Sequence, residues 1–398
     1  MITIKKISEL SVGHYVTAIA EQTGDFTLTH PGYIKSKLVI SNLRKKGVLS
    51  VKVDLSKSME LKKASREEEE TAPPEYPIEP FPQAPVIRDL NRARKLFNES
   101  KAVQQQVISD IQNGRQLDLR PVADITGQTM EAIIKDPDAL ACVINIREKD
   151  AYLLEHSISV SVLITIFARY LGFKKNIIHQ LAVGAFLHDV GKIKIPDDIL
   201  NKPGKLTGDE FEIMKTHVSH SLKIVKNLPG MSKAAISVVA QHHEKLNGMG
   251  YPLQLPPEKI SRYGRMITIC DIFDALTADR VYKEGYCHVK AFSILRRLAK
   301  QEELDPLLVD QFIKCMGVYP VGTLVELNSQ RLAIVDGRNQ EDPISPKVRS
   351  FYNVEHHHYM MTEDIDLAVN DDFIVKGVRA DDFNLDMNKI VEFLLMEG

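Results

Sequence analysis

A histidine and an aspartate standing side by side at the end of an apolar helical segment constrain this chain more than any other feature. The pair lies in Leu187-His188-Asp189-Val190-Gly191-Lys192. Upstream, from Ile177 to Val190, Ile178, Leu181, Ala182, Ala185 and Phe186 recur at helical spacing, and Gly191 and Pro196 supply a stop. Further donors for the same point follow the same logic: His156 upstream, His217, His242 and His243 downstream, and Asp271 last, each on or beside an apolar helical segment. Five imidazoles and two carboxylates, with no cysteine among them, are the ligand mixture of a divalent transition-metal hydrolase rather than of a structural zinc site. Neighbouring residues on a helix point about 100° apart. His188 and Asp189 can therefore serve one centre only where the backbone relaxes or the centre is wide, and a dinuclear centre meets that condition.

The bounds on function agree. With 398 residues the chain has room for two or three domains, and its formal net charge of -2 argues against a general DNA or RNA binder, which needs a basic surplus. Cys142, Cys270, Cys287 and Cys315 show no paired spacing, so neither a disulfide framework nor a cysteine zinc module is expected, and a reducing cytoplasm fits. The most apolar run, Ser157 to Phe167, is bracketed by His156 and Arg169 and falls well short of the roughly 20 residues that span a bilayer, so it is expected to be a buried helix without membrane insertion. The N-terminus has no continuous apolar region of the signal-peptide kind.

Along the chain, residues 1–58 read as a small α+β module with strands over Tyr15–Ala20 and Leu49–Leu55 and a helix over Ser36–Lys46 ended by Gly47. It carries no phosphate loop or histidine cluster, which points to a regulatory or packing role. Residues 59–85 form an acidic, proline-rich linker, with Glu67 to Glu70 and Pro73, Pro74, Pro77, Pro80 and Pro82 within it. A helical segment, 86–149, opens with Leu90, Ala93, Phe97, Val103, Val107 and Ile111 on one face. That face over 86–112 can pair with a second copy in a homodimer or pack within its own chain, and Ser100 and Gln104 interrupt it. The catalytic part is expected over 150–318. In it Asp271 and Asp274 stand one helical turn apart, so that one can face the metals while the other braces. Residues 319–398 read as a β-rich appendage, with strands over Thr323–Leu327, Arg331–Val335 and Val348–Tyr352 and the three consecutive histidines His356 to His358 on an exposed loop.

The segment from about Asp150 to Lys283 closely resembles the HD-GYP phosphodiesterases, a branch of the HD-domain metal-dependent phosphohydrolases. The matching residues are His156-Ser157, His188-Asp189-x-Gly191-Lys192-x-x-x-Pro196, His217, His242-His243-Glu244, Asn247-Gly248-x-Gly250-Tyr251-Pro252 and Asp271-x-x-Asp274-Ala275-Leu276-Thr277-x-Asp279-Arg280. The resemblance implies a mainly α protein: a helical HD-type metal-binding bundle with the N-terminal α+β module before it and the β-rich appendage after it. It implies two divalent transition-metal ions, iron or manganese by the family's habit. His156, His188, Asp189 and Asp271 would hold one, and Asp189 would bridge to a second held by His217, His242 and His243. Lys192 would touch the bridging water or a phosphate oxygen, Gly250, Tyr251 and Pro252 would shape the pocket wall, and Arg280 and Lys283 would contact substrate phosphates or bases.

Three departures stand out. Relatives with a third ion carry glutamate four residues before the first histidine, where this chain has Tyr152, and Glu155 points elsewhere on the helix. The usual Asp of the DGxGYP stretch is Asn247. The HPxxG pattern that begins at the third histidine is replaced by His217-Val218-Ser219-His220-Ser221. The expected activity is hydrolysis of a cyclic dinucleotide, cyclic di-GMP first and hybrid cyclic GMP-AMP second, to the linear dinucleotide, with slower further hydrolysis. The alternative is a weakly active or inactive cyclic-nucleotide-binding protein acting through signalling-protein partners. His179 and His220 fit no ligand position and read as ordinary residues.

Overall fold

The computed structural model describes residues 2–10, 14–24, 31–34, 40, 43–44, 46–55, 90–145, 152–278, 285–339 and 342–396. The chain divides into two compact units, Met1–Ala72 and Pro73–Gly398.

The first unit is built on an antiparallel sheet of β1 (Ile2–Lys6), β2 (Tyr15–Gln22), β3 (Gly32–Tyr33) and β4 (Val48–Asp54), in the order β1-β4-β2-β3. The central strand β4 buries Val48, Val51 and Val53, which meet Ile7, Leu10, Val16, Ile34 and Leu43 in a small core of their own. The helix expected over Ser36–Lys46 lies largely outside the described residues, as does the acidic linker.

The second unit is helical at its centre. Its helices are α1 (Leu90–Gln112), α2 (Arg120–Lys135), α3 (Pro137–Asn145), α4 (Tyr152–Tyr170), α5 (Lys175–Leu187), α6 (Gly208–Val225), α7 (Lys233–Gln241), α8 (Arg262–Thr277), α9 (His288–Lys300) and α10 (Pro306–Met316). The apolar run of α4 is buried all round, as a helix with little amphipathicity must be. It packs on α5, α8, α2 and α1. Among the described residues no helix is long and apolar enough to cross a membrane. The face of α1 lies against α2, α3 and α4, and Ser100 and Gln104 are buried in it: Ser100 Oγ donates to the Leu96 carbonyl at 2.9 Å. Its intramolecular packing is thus accounted for.

A second sheet follows: β5 (Leu324–Leu327), β6 (Arg331–Gly337), β7 (Lys347–Asn353), β8 (His358–Asp366) and β9 (Ile374–Gly377), in the order β8-β7-β6-β5-β9, and then helix α11 (Met387–Met396). Strand pairing is antiparallel throughout. The three strands expected from alternation are present, and β8, β9 and α11 come in addition. This sheet does not stand apart, because Val325, Leu332, Val335 and Phe351 belong to the same core cluster as the helices. Arg338 ties it down through Asp138 of α3 at 2.6 Å and through the Cys315 carbonyl of α10. His356 to His358 are exposed.

Where the helix over Ile177–Val190 was expected, α5 ends at Leu187, His188 caps it, and Val190–Lys194 forms a 3-10 turn. The reason is a close approach: a Cβ on Gly191 would lie 2.1 Å from the His217 carbonyl oxygen and 2.3 Å from Ser221 N on α6. The Gly191 N–H donates to Ser221 Oγ at 2.8 Å, so the serine at the altered HPxxG position fastens the turn rather than loosening it. Gly191→Ala is expected to force the turn off α6 at a cost of about 1–3 kcal/mol or more, read as a lower Tm together with loss of bound metal. An unchanged Tm would show that the two elements do not need this contact.

Candidate metal centre

Five elements bring the donors together. The first turns of α4 supply His156, the α5 cap and the following turn supply His188 and Asp189, α6 supplies His217, and the end of α7 supplies His242 and His243; α8 adds Asp271. Among the described residues three triads have ligand atoms within 4.8 Å of one another: His156, His188 and Asp271; His188, Asp189 and His242; His217, His242 and His243.

Asp189 lies between the two ends of this cluster. Its Oδ2 is 3.4 Å from both His156 Nε2 and His188 Nε2, while its Oδ1 is 3.3 Å from His217 Nε2 and 3.8 Å from His242 Nε2. Asp271 faces the same way from α8, with Oδ1 3.0 Å from His156 Nε2 and Oδ2 3.6 Å from His243 Nδ1. Relaxation at the helix end is what lets adjacent residues converge: His188 is still helical, but Asp189 has φ -105° and ψ 5°.

The imidazoles are oriented by bonds on their far nitrogens. His188 Nδ1 donates to the Ala185 carbonyl at 2.6 Å, His217 Nδ1 to that of Met214 at 2.6 Å, and His242 Nδ1 to that of Val239 at 2.8 Å. Each uses the carbonyl three residues back, a position that helical geometry delivers without any further partner. With the proton held on Nδ1, the Nε2 lone pair points into the cluster. His156 has a carboxylate instead: Asp274, fully buried one turn beyond Asp271, lies 2.7 Å from its Nδ1.

The electrostatics suit cations. Burial, reinforced by neighbouring imidazoles, holds His242 well below the ordinary histidine range, and burial lowers His188 likewise. Burial lowers His243 to about 3 although Asp271 opposes the shift. These rings are neutral at pH 7. Burial alone would raise the Asp189 carboxyl, but Lys192 and the surrounding imidazoles outweigh it and hold it well below the usual carboxylate range. Asp271 is depressed in the same way, against burial, by His156 and His243. Asp189 is paired with the ammonium of Lys192, whose Nζ is 2.5 Å from its Oδ2. Buried His188 Nε2 and Asp189 Oδ1 have no hydrogen-bond partner, an arrangement that costs free energy unless something else binds them. A divalent cation fits that need and that donor set.

The wall on the His243 side is a loop. Tyr251 lays its ring 4.6 Å from that of His243, centroid to centroid, and its N–H donates to the His243 carbonyl at 3.1 Å. Gly250 admits no side chain, since a Cβ would meet Lys245 N at 2.4 Å. Asn247 accepts from the Met249 N–H at 3.0 Å, a turn an aspartate would make equally well. Glu244, unremarked in the sequence reading beyond its place in a motif, is buried and clamps the loop, accepting from Leu253 N at 2.8 Å and Leu255 N at 3.0 Å. An acid immediately after the ligand doublet was the available signal. Pro252 follows Tyr251 through a cis peptide bond. Arg280 and Lys283 lie outside the described residues. His179 is elsewhere, bonded through Nε2 to the Ala123 carbonyl at 2.8 Å.

Asp274→Asn keeps the size of the group while removing its charge, and is expected to weaken metal retention about 10- to 100-fold. His179→Ala should leave it intact. Metal affinity measured by competition with a chelator checks this, and equal losses in the two variants would mean that Asp274 acts through general stability alone.

Comparison with known proteins places this geometry. A family model described as an HD domain matches residues 142–308, a span that contains all seven donors, and a domain of unknown function, DUF3391, matches residues 3–122. A cyclic di-GMP phosphodiesterase of Pseudomonas aeruginosa is 30% identical over 352 residues, 87% of this chain and 84% of that protein. Shorter matches include a cyclic di-GMP phosphodiesterase of Vibrio cholerae, 42% identical over 34% of this chain and 29% of that protein. The 3′3′-cGAMP-specific phosphodiesterase 2 of the same organism is 40% identical over 32% of this chain and 24% of its own length. HD domains are a metal-dependent family, and the imidazole and carboxylate cluster is the part of this chain on which that dependence would act. Likeness over nearly the full length of a relative, with the HD domain laid across the donors, settles the family: the chain belongs to the HD-GYP family of HD-domain phosphodiesterases.

Proposed function

We propose that this protein hydrolyses a 3′-5′ phosphodiester bond of a cyclic dinucleotide, cyclic di-GMP in the first place and hybrid cyclic GMP-AMP in the second, releasing the linear dinucleotide. The observation that carries the reading is the opposed aim of the two Asp189 oxygens, each toward a different pair of imidazoles. In this reading His156, His188, Asp189 and Asp271 hold one divalent ion and Asp189, His217, His242 and His243 a second, iron or manganese being the ions the donor set and the family favour. When bound, such a pair supplies Lewis acidity at the phosphoryl group and a low pKa for water.

The chain's own residues do the rest. Neutral imidazoles fixed by their Nδ1 bonds keep the donor atoms aimed without reorganisation. Lys192, partly exposed beside buried Asp189, has its ammonium where charge develops on the phosphoryl oxygens. His243, a quarter exposed, marks the side on which the diester enters, and Tyr251 excludes water there. Arg280 and Lys283 are assigned to the remaining phosphate and the bases on the strength of the family pattern. The names of the relatives support the substrate class.

The product follows from the first turn of α4, where Tyr152 replaces the glutamate of three-ion relatives. A phenol is a poor ligand near neutral pH, its pKa being about 10. Glu155, three residues on in the sequence, is committed to Lys101 of α1 at 2.8 Å and belongs to none of the metal-competent triads found among the described residues. With two ions, the terminal phosphate of the linear dinucleotide lacks an anchor, so the first cut outruns the second. A chromatographic time course with metal-reconstituted protein should show linear dinucleotide accumulating before mononucleotide appears. Absence of turnover on every cyclic dinucleotide would overturn the function, and mononucleotide rising from the start with no linear species would overturn the two-ion assignment.

A further inference from the structure

From the metal centre an aromatic path leads outward to solvent. His243 contacts Tyr251, and Tyr251 meets Phe211 of α6 edge to face, with ring centroids 6.2 Å apart and planes at 84°. Phe211 is 44% exposed, in the first turn of the helix that also carries the ligand candidate His217. One turn further on, Lys215 places its Nζ 5.0 Å from the Phe211 ring centre and 5.8 Å from that of Tyr251, both within cation–π range. The ammonium also donates to Glu212 Oε1 at 2.6 Å. An exposed aromatic ring beside a phosphodiester centre is what an unpaired base stacks on, and the flexible cation that lies over the ring is displaced to the edge of an incoming base, where it sets which base edge is welcome.

We propose that Phe211 and Lys215 form a purine subsite that favours guanine over adenine; this rests on the reading of the centre as a cyclic dinucleotide site. Phe211 offers its exposed face to the base. Lys215 is a donor with no acceptor capacity, so it complements guanine, which presents O6 and N7 side by side as acceptors. Adenine presents N7 beside an amino donor, and the ammonium repels that amino group. Glu212, held to Lys215, adds an acceptor next to the donor, matching guanine's N1–H beside O6 and opposing adenine's reversed pattern. Tyr251 then has two duties, since it covers His243 and supports Phe211 from below, and this explains why the loop is clamped so firmly by Glu244.

The test is equilibrium binding to the metal-loaded full chain, by calorimetry, of the hydrolysis-resistant phosphorothioate analogues of cyclic di-GMP and cyclic di-AMP. Phe211→Ala should weaken both about ten-fold. Phe211→Trp should bind as the parent does, and metal content should stay constant in both. Lys215→Met should weaken the guanine analogue about five- to ten-fold and leave the adenine analogue nearly unchanged. Parent-like binding by Phe211→Ala, equal weakening of both analogues by Lys215→Met, or binding of neither analogue by the parent would overturn the subsite. Turnover of cyclic di-GMP by the parent, measured alongside, separates the two claims: absent turnover with base-selective binding retained would remove the hydrolase reading and leave the subsite standing.

Discussion

The burial of one carboxylate, Asp189, organises the second unit. A charged group taken out of water is costly unless it is paired on all sides, and this one is surrounded by Lys192 and four imidazoles. To place it there, α5 must stop at Leu187, the chain must turn tightly against α6, and the turn must carry glycine at 191. The rings around it must in turn be held at their far nitrogens, which the carbonyls of Ala185, Met214 and Val239 and the carboxylate of Asp274 do. The three carbonyl supports are local, each three residues back on its own helix, whereas Asp274 reaches His156 from another helix and the Gly191 turn rests on α6, so the centre needs both helix-end geometry and tertiary packing.

Much of this was legible beforehand because metal ligation restricts residue types. Imidazole and carboxylate at helix ends, read with the family's spacing, named the donors that the fold brings together. The division of labour between Asp271 and Asp274 followed from their one-turn separation, and the structure sets Asp274 against the far side of His156. Other features left no such trace. The stop of α5 three residues early depends on contact with α6, which no local pattern encodes. β8 exposes most of its length and is rich in charge, so it shows no alternation, and β9 has only four residues. The clamp made by Glu244 depends on where the loop returns, at Leu253 and Leu255, and spacing alone does not reveal that.

Sequence families and physical units divide this chain differently. The DUF3391 match runs from residue 3 to residue 122, across the first unit and through α1. Physically α1 belongs to the helical core, where Leu90, Ala93, Phe97, Val107 and Ile111 are buried against α2, α3 and α4. Lys101 of α1 pairs with buried Glu155, the residue immediately before His156. The C-terminal sheet is likewise inside that core, through Val325, Leu332 and Phe351. The metal centre therefore sits in a unit to which segments from both flanks of the HD domain contribute packing, and its rigidity draws on all of them.

The central claim is that one carboxylate joins two ions. Elemental analysis of anaerobically prepared, folded protein tests it most directly when the parent is compared with Asp189→Ala and with His217→Ala. The account predicts two transition-metal ions per chain in the parent, about one in His217→Ala, where a single end of the cluster is damaged, and almost none in Asp189→Ala. An Asp189→Ala protein that keeps as much metal as His217→Ala would contradict it.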